Sequence, residues 1–202
     1  KNISHNIDYS LEDINNTVKV PYLDFKQLKE LTLVIDLDET MISFNFIESE
    51  QGLGKMRLRP GLEEFLEIIR DYYEIIVFTS GTKDYADTIL DIIEKKKNKK
   101  YFSGRLYREH TTQIDKKYIK DLSKLGRDLS KTLIVDNLPH CFKLQRENGI
   151  LIKSFFTDNK NDKALFELQR ILINIYYDKI DVRKSLIKYR EDILKNVTCI
   201  DD

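Results

Sequence analysis

The sequence predicts an α/β domain, a Rossmann-like and mostly parallel sheet with helices on both faces. Three observations carry that reading. Short apolar runs rich in β-branched and aromatic residues alternate along the chain with longer stretches whose apolar residues recur at helical spacing. Strands joined by crossover helices run parallel and are covered by those helices. The chain is 202 residues long, enough for one domain with a sizeable core.

The elements follow in order. Residues 1–30 are polar and aperiodic, with a break at Pro21 and a short amphipathic stretch from Phe25 to Glu30, and read as an N-terminal arm or lead-in. The domain proper is expected over 31–196, with a tail over 197–202. LTLVID (31–36) is the first strand. ISFNF (42–46) and KMRLR (55–59) alternate on either side of the turn residues Gly52 and Gly54, the pattern of a β-hairpin. Met56 and Leu58 should face the body, and Lys55, Arg57 and Arg59 the outside or the site. Pro60 and Gly61 introduce a helix whose Leu62, Phe65, Leu66 and Ile69 share one face. EIIVFT (74–79) is a strand, and Lys83–Lys97 a helix with Tyr85, Ile89, Ile92 and Ile93 on one face. RLYRE (105–109) is expected as a strand, Tyr118–Leu125 as a helix, TLIVD (132–136) as a strand, Leu138–Glu147 as a helix and ILIKSFF (150–156) as a strand. Asp162–Lys195 reads as two helices broken near residues 178–181. These elements fill the intervals Thr40–Thr79 and Thr79–Lys120 and leave no room for a cap domain.

The bulk composition excludes more than it assigns. Apolar residues make up 41% and charged residues 34%, and 34 Lys and Arg balance 34 Asp and Glu, so global charge favours neither nucleic acid nor an anionic membrane as partner. Cys141 and Cys199 form no disulfide framework or ligand spacing, which suits a reducing compartment, nuclear or cytoplasmic. No apolar stretch is long enough to span a bilayer. The chain is expected to be a monomer.

The chemistry is concentrated at strand ends, where open α/β sheets bind ligands. The first strand ends on Asp36-Leu37-Asp38, the second on Thr79-Ser80-Gly81 and the third on Asp136-Asn137; Lys120 falls between the last two. In an extended segment Asp36 and Asp38 point to one side, and like charges at that spacing need a cation or a shared proton. A carboxylate such as Asp36 can attack phosphorus, and a second, Asp38, can protonate the leaving oxygen and then activate water. Asp36, Asn137 and a carbonyl near Asp38 suit Mg²⁺, and Thr79 and Lys120 suit phosphate. Elsewhere, KKKNKK (95–100) reads as a basic helix end and His140 as a residue of a helix start.

This constellation resembles the haloacid dehalogenase superfamily, and within it the RNA polymerase II C-terminal-domain phosphatases and NLI-interacting-factor-like proteins. DLDET (36–40), LRPGLEEFL (58–66), VFTSGTKDYAD (77–87), RLYRE (105–109), YIKDLSKLGRDL (118–129) and IVDN (134–137) carry the resemblance, which extends to DVRKSL (181–186). It implies a Mg²⁺-dependent protein serine/threonine phosphatase working through an aspartyl-phosphate. Asp36 would be the nucleophile and Asp38 the acid and base. Thr79 and Lys120, with Ser80 beside them, would bind phosphate, and Asn137 would hold the metal with Asp36, Asp38 and Asp136. A phosphorylated peptide, such as the polymerase C-terminal domain, would lie against Arg108, Phe44, Phe46, Arg57 and Arg59. Here the sequence departs from the small C-terminal-domain phosphatases, which carry a longer insertion after the first motif. Two other classes share parts of the pattern. A non-catalytic binding module resembles the mitochondrial presequence-translocase receptor, but the intact acidic pair argues against it. A receiver domain places its acceptor carboxylate on an interior strand, whereas here the acidic motif ends the first.

Overall fold

The computed structural model describes residues 18–45, 55–156 and 159–199. Five parallel strands form the central sheet in the order β5-β4-β1-β8-β9. They are β1 (Leu31–Ile35), β4 (Tyr73–Phe78), β5 (Gly104–Leu106), β8 (Thr132–Asp136) and β9 (Gly149–Leu151). β1 lies in the middle, with Ile35 level with Val77 of β4 and Val135 of β8. The carboxyl ends of these three strands therefore open at one level, which brings residues 36, 79 and 136 to one pole.

Side-chain alternation divides the core. Leu33, Ile35, Ile75, Val77, Leu133 and Val135 pack on one face beneath α1 (Leu62–Ile69), α2 (Lys83–Lys97) and α3 (Ala164–Asp178). Val34, Ile76, Phe78 and Ile134 pack on the other, against Leu23, Leu122, Leu125 and Phe142. Both faces have helical cover, but the long helices gather on the first. Short 3-10 turns and the lead-in cover the second.

α1 buries the four residues expected of it. Its entry needs Gly61, whose φ of +79° is left-handed and whose missing Cβ would lie 2.6 Å from the Phe166 ring. α2 buries Ala86, Ile89, Leu90 and Ile93, while Ile92 faces outward, so the expected face is rotated. Its Lys-rich end is explained by structure: Lys95, Lys96 and Lys97 occupy the last turn, and Lys96 and Lys99 pair with Glu63 and Glu67 of α1. The break in the last helical tract falls where expected, at Lys179 in the left-handed region, followed by Asp181 capping α4 (Val182–Lys188).

Four expectations need correction. The helix expected over 118–125 is instead strand β7 (Lys117–Ile119), paired with β6 (Thr112–Ile114), and a short 3-10 turn. Asp115 and Lys116 both take positive φ, the geometry of a two-residue hairpin loop, which neither residue type advertises. The helix expected over 138–147 is 3-10 over Lys143–Asn148 and kinks at Gln145, whose side chain bridges Leu122 N–H and Asp121. The strand expected over 150–156 pairs only as β9, because β8 ends at Asp136. Beyond it the chain leaves the ladder, with Phe155 N–H donating to Glu39 O at 2.7 Å. RLYRE forms β5 and then a 3-10 turn at Arg108–His110.

The hairpin after the first motif is present as β2 (Ile42–Asn45) and β3 (Lys55–Leu58). The described part of the lead-in is strapped to the body. Tyr22 and Leu23 N–H donate to Lys124 and Leu125 carbonyls, and Arg127 joins buried Glu74 at 2.8 Å beneath Phe25. The arm before residue 18, with His5, and the hairpin tip with Phe46 lie outside the described residues. Among the described residues no helix is long and apolar enough to cross a membrane.

Candidate active site

The site grows from the end of β1. Asp36 N–H donates to Val135 O at 3.0 Å, so the residue still belongs to the sheet although its carboxylate has left it. Leu37 turns fully into the core, and Glu39 takes a φ of 59°, reversing the chain into β2. Asp36 and Asp38 thereby emerge on one side, as the spacing requires.

Lys120 reaches into this end of the sheet with 1% exposure. Its Nζ donates to Asp36 Oδ1 at 2.5 Å and to Asp136 Oδ2 at 2.6 Å. Lys120 N–H is itself anchored on Cys141 O at 2.7 Å. One buried cation thus faces two buried carboxylates, with Asp38 adding a third negative charge nearby. Burial pushes Asp36 up to about 7, against the pull of Lys120 and with Asp136 and Asp38 adding to the rise. Burial would lower the Lys120 ammonium, but Asp136 and Asp36 outweigh it and hold the group above its usual range. The cluster is short of positive charge, the electrostatic condition for holding a cation.

The remaining groups surround that cluster. Thr79, fully buried at the end of β4, accepts from Gly81 N–H at 3.0 Å, which leaves its own O–H proton to donate to a phosphate oxygen. Ser80 contributes its carbonyl, held by Arg108 Nε at 2.7 Å, and Arg108 N–H holds Gly81 O. Arg108 is exposed and lies over the Tyr118 ring at 5.2 Å, so the loop after β4 and this guanidinium form one rim. Asn137 donates through Nδ2 to Glu39 and Ser154 at 3.0 and 2.9 Å. With its nitrogen so used, the amide offers its oxygen.

Asp136, expected beside Asn137 among the metal ligands, has both oxygens engaged within the protein, one on Lys120 and one on Leu138 N–H at 2.8 Å. Both oxygens thus brace Lys120 and the turn after β8. Among the described residues no three His, Cys, Asp or Glu side chains form a metal-holding cluster. A hard cation here would use the Asp36 carboxylate, the Asn137 amide oxygen, a carbonyl near Asp38 and water, an all-oxygen set.

The hairpin residues divide. Phe44 meets Tyr85 edge-on, ring centroids 6.4 Å apart, and so borders the site. Arg57 lies opposite Ser43 and is half-buried. Arg59, expected on the wall of the groove, is not there. It is 1% exposed, donates to both oxygens of Asp162 at 2.8 Å and also holds Thr40 O and Lys153 O. The reason is a carboxylate 103 residues downstream that closes a bidentate pair, which no local pattern announces.

Tyr85 is the residue the sequence reading missed. It packs against the core from the apolar face of α2, as expected, and also donates its hydroxyl to Asp38 Oδ1. Burial and then the Asp38 contact raise its pKa. The signal was its place in the first turn of the helix that follows the strand ending at Thr79. A cleft of about 680 Å³ lies apart from these groups, between α1, the end of α2 and Phe166, and contains none of the carboxylates of the site.

Known proteins share the sequence and the fold of this chain. The family description NLI interacting factor-like phosphatase matches residues 31–183. CTD small phosphatase-like protein 3 of Caenorhabditis elegans is 39% identical over 80% of this chain and 60% of its own length. The human carboxy-terminal domain RNA polymerase II polypeptide A small phosphatase 2 is 32% identical over 79% of this chain and 62% of its own. The chain thus spans about three fifths of each. The fission yeast RNA polymerase II CTD phosphatase Fcp1 shares the fold, with a TM-score of 0.52, 20% identity, and coverage of 86% of this chain and 58% of that one.

Proposed function

This chain belongs to the NLI interacting factor-like phosphatase family, and we propose that it is a Mg²⁺-dependent phosphatase of phosphoserine or phosphothreonine in proteins, working through an aspartyl-phosphate. The observation that carries the reading is the buried Asp36–Lys120–Asp136 cluster at the end of β1.

Lys120 spends its charge on Asp36 and Asp136, which fixes the Asp36 carboxylate toward the opening of the sheet. An Asp36 oxygen attacks phosphorus while the serine oxygen departs, and Asp38 supplies the proton that makes that oxygen a tolerable leaving group. Water then attacks the aspartyl-phosphate, giving its proton back to Asp38. Thr79 O–H and the N–H groups of the following loop hold the phosphate oxygens. Bound Mg²⁺ would offset the negative charge that accumulates between carboxylate and phosphate. Asp36, Asn137 and the Asp38 carbonyl are the groups to hold it.

Among the described residues no inserted domain closes the site, so a substrate must bring its own bulk to exclude water. A phosphopeptide does this, lying against Phe44 and Arg108, with Arg57 and Phe46 on the hairpin as further contacts. The relatives' names point to the polymerase C-terminal domain as one substrate to test. The test is a panel of phosphoserine peptides, sugar phosphates and nucleotides, assayed with Mg²⁺ and with chelator. Hydrolysis of the peptides at the highest kcat/KM, abolished by chelator, is expected. A clear preference for a small metabolite would overturn the substrate class, and full activity in chelator would overturn the metal dependence.

A further inference from the structure

The reaction as derived leaves Tyr85 without a task, although its hydroxyl donates to the carboxylate that does the acid and base work. The tyrosine stands in the first turn of α2, half-buried. Phe44 packs edge-on against its ring, at 6.4 Å and 75°. Gly81 lies so close on another side that a Cβ there would come within 3.0 Å of Tyr85 Cδ1. The ring therefore has little freedom, and a hydroxyl at the end of a fixed ring defines a direction.

We infer that Tyr85 is a positioning residue that acts through Asp38, its hydroxyl engaging Oδ1 so that Oδ2 is the oxygen that passes the proton to and from the reacting oxygens. The inference rests on the phosphatase reading and deepens it. In the first step the bond between an Asp36 oxygen and phosphorus forms, the bond from phosphorus to serine oxygen breaks, and the proton on Asp38 Oδ2 goes to that departing oxygen. In the second step the oxygen of water bonds to phosphorus, the bond to Asp36 breaks, and the water proton goes to Asp38 Oδ2. Tyr85 remains the donor to Oδ1 throughout. Without that donor the carboxylate can rotate, and the proton is delivered from a poorer angle.

Tyr85→Phe removes the hydroxyl and little else. For a phosphoserine peptide, whose alkoxide leaving group needs the proton, kcat/KM and kcat should fall about tenfold or more with KM nearly unchanged. For p-nitrophenyl phosphate, whose phenolate leaves unaided, kcat/KM should change by less than about twofold. Across substituted aryl phosphates the variant's kcat/KM should depend more steeply on leaving-group pKa than the wild type's. Equal losses on both substrates, a raised KM with kcat unchanged, or no loss on the peptide would each overturn the positioning role while leaving the phosphatase reading intact. A wild-type protein inert on every phosphate ester would instead sink that reading, and this inference with it.

Discussion

Two buried ion clusters lie within the same fold and differ in how they are balanced. Arg59 and Asp162 form a closed pair: one cation, one anion, with Nη1 on the Thr40 carbonyl, Nη2 shared between Asp162 and the Lys153 carbonyl, and Asp162 also accepting from Ala164 N–H. Lys120 faces Asp36 and Asp136, with Asp38 beyond, one cation against three carboxylates. The closed pair has nothing left to offer a ligand. The unbalanced one is held ready for positive charge and for phosphate chemistry. Burial alone does not distinguish them; the count of charges does.

The sharpest way to break this contrast is Asp36→Asn. Turnover of a phosphoserine peptide should fall by about 10⁴-fold or more, because the attacking charge is gone. Stability should not fall with it. In metal-free protein the Asp36 pKa is raised to about 7, above its unfolded value, so the stability this residue contributes is fully present below the unfolded pKa and is lost as pH rises through about 7. Thermal melts in chelator at pH 8 should therefore show Asp36→Asn as stable as the wild type or more so, and a large drop in Tm would mean that the cluster is structural.

Asp38→Asn comes next. Its loss in kcat/KM should reach about 10²-fold to 10⁴-fold on phosphoserine and be far smaller on p-nitrophenyl phosphate. Equal losses would assign Asp38 to the metal or the geometry. Arg59→Met tests the other cluster. It strands a buried Asp162 and should cost about 3–5 kcal/mol of unfolding free energy, measured by urea denaturation, while kcat of the folded fraction stays within about threefold of wild type. A selective loss of peptide turnover with stability kept would return Arg59 to the substrate groove. The smallest effect is expected from Arg108→Ala, an exposed rim residue. KM for the phosphopeptide should rise several-fold, with stability changed by no more than about 0.5 kcal/mol.

What was legible in the sequence follows the range of the forces involved. Strand ends could be read because β-branched runs stop abruptly at Asp36, Thr79 and Asp136, and a parallel sheet collects such ends at one pole. Lys120 could be placed at the site, but not its hairpin, because the turn at Asp115 and Lys116 uses left-handed backbone at residues that do not require it. Arg59 was misread for a different reason. Alternation gives the face of a side chain, and only tertiary structure gives the partner waiting there. Tyr85 looked like one more apolar position of α2, since a phenol fits a helix face as well as it fits a hydrogen bond.

The reach of Arg59 has a consequence for biosynthesis. Every residue given a part in the chemistry, from Asp36 to Asn137, leaves the ribosome before Asp162 does. Until that carboxylate emerges, Arg59 has no counter-ion, and the Thr40 and Lys153 carbonyls that it gathers have no fixed post between them. A nascent chain carrying all of its reactive groups therefore still lacks the buried ion pair that stabilises the fold around them. Resistance of arrested chains to proteolysis should therefore rise once the segment around residue 162 has cleared the exit tunnel.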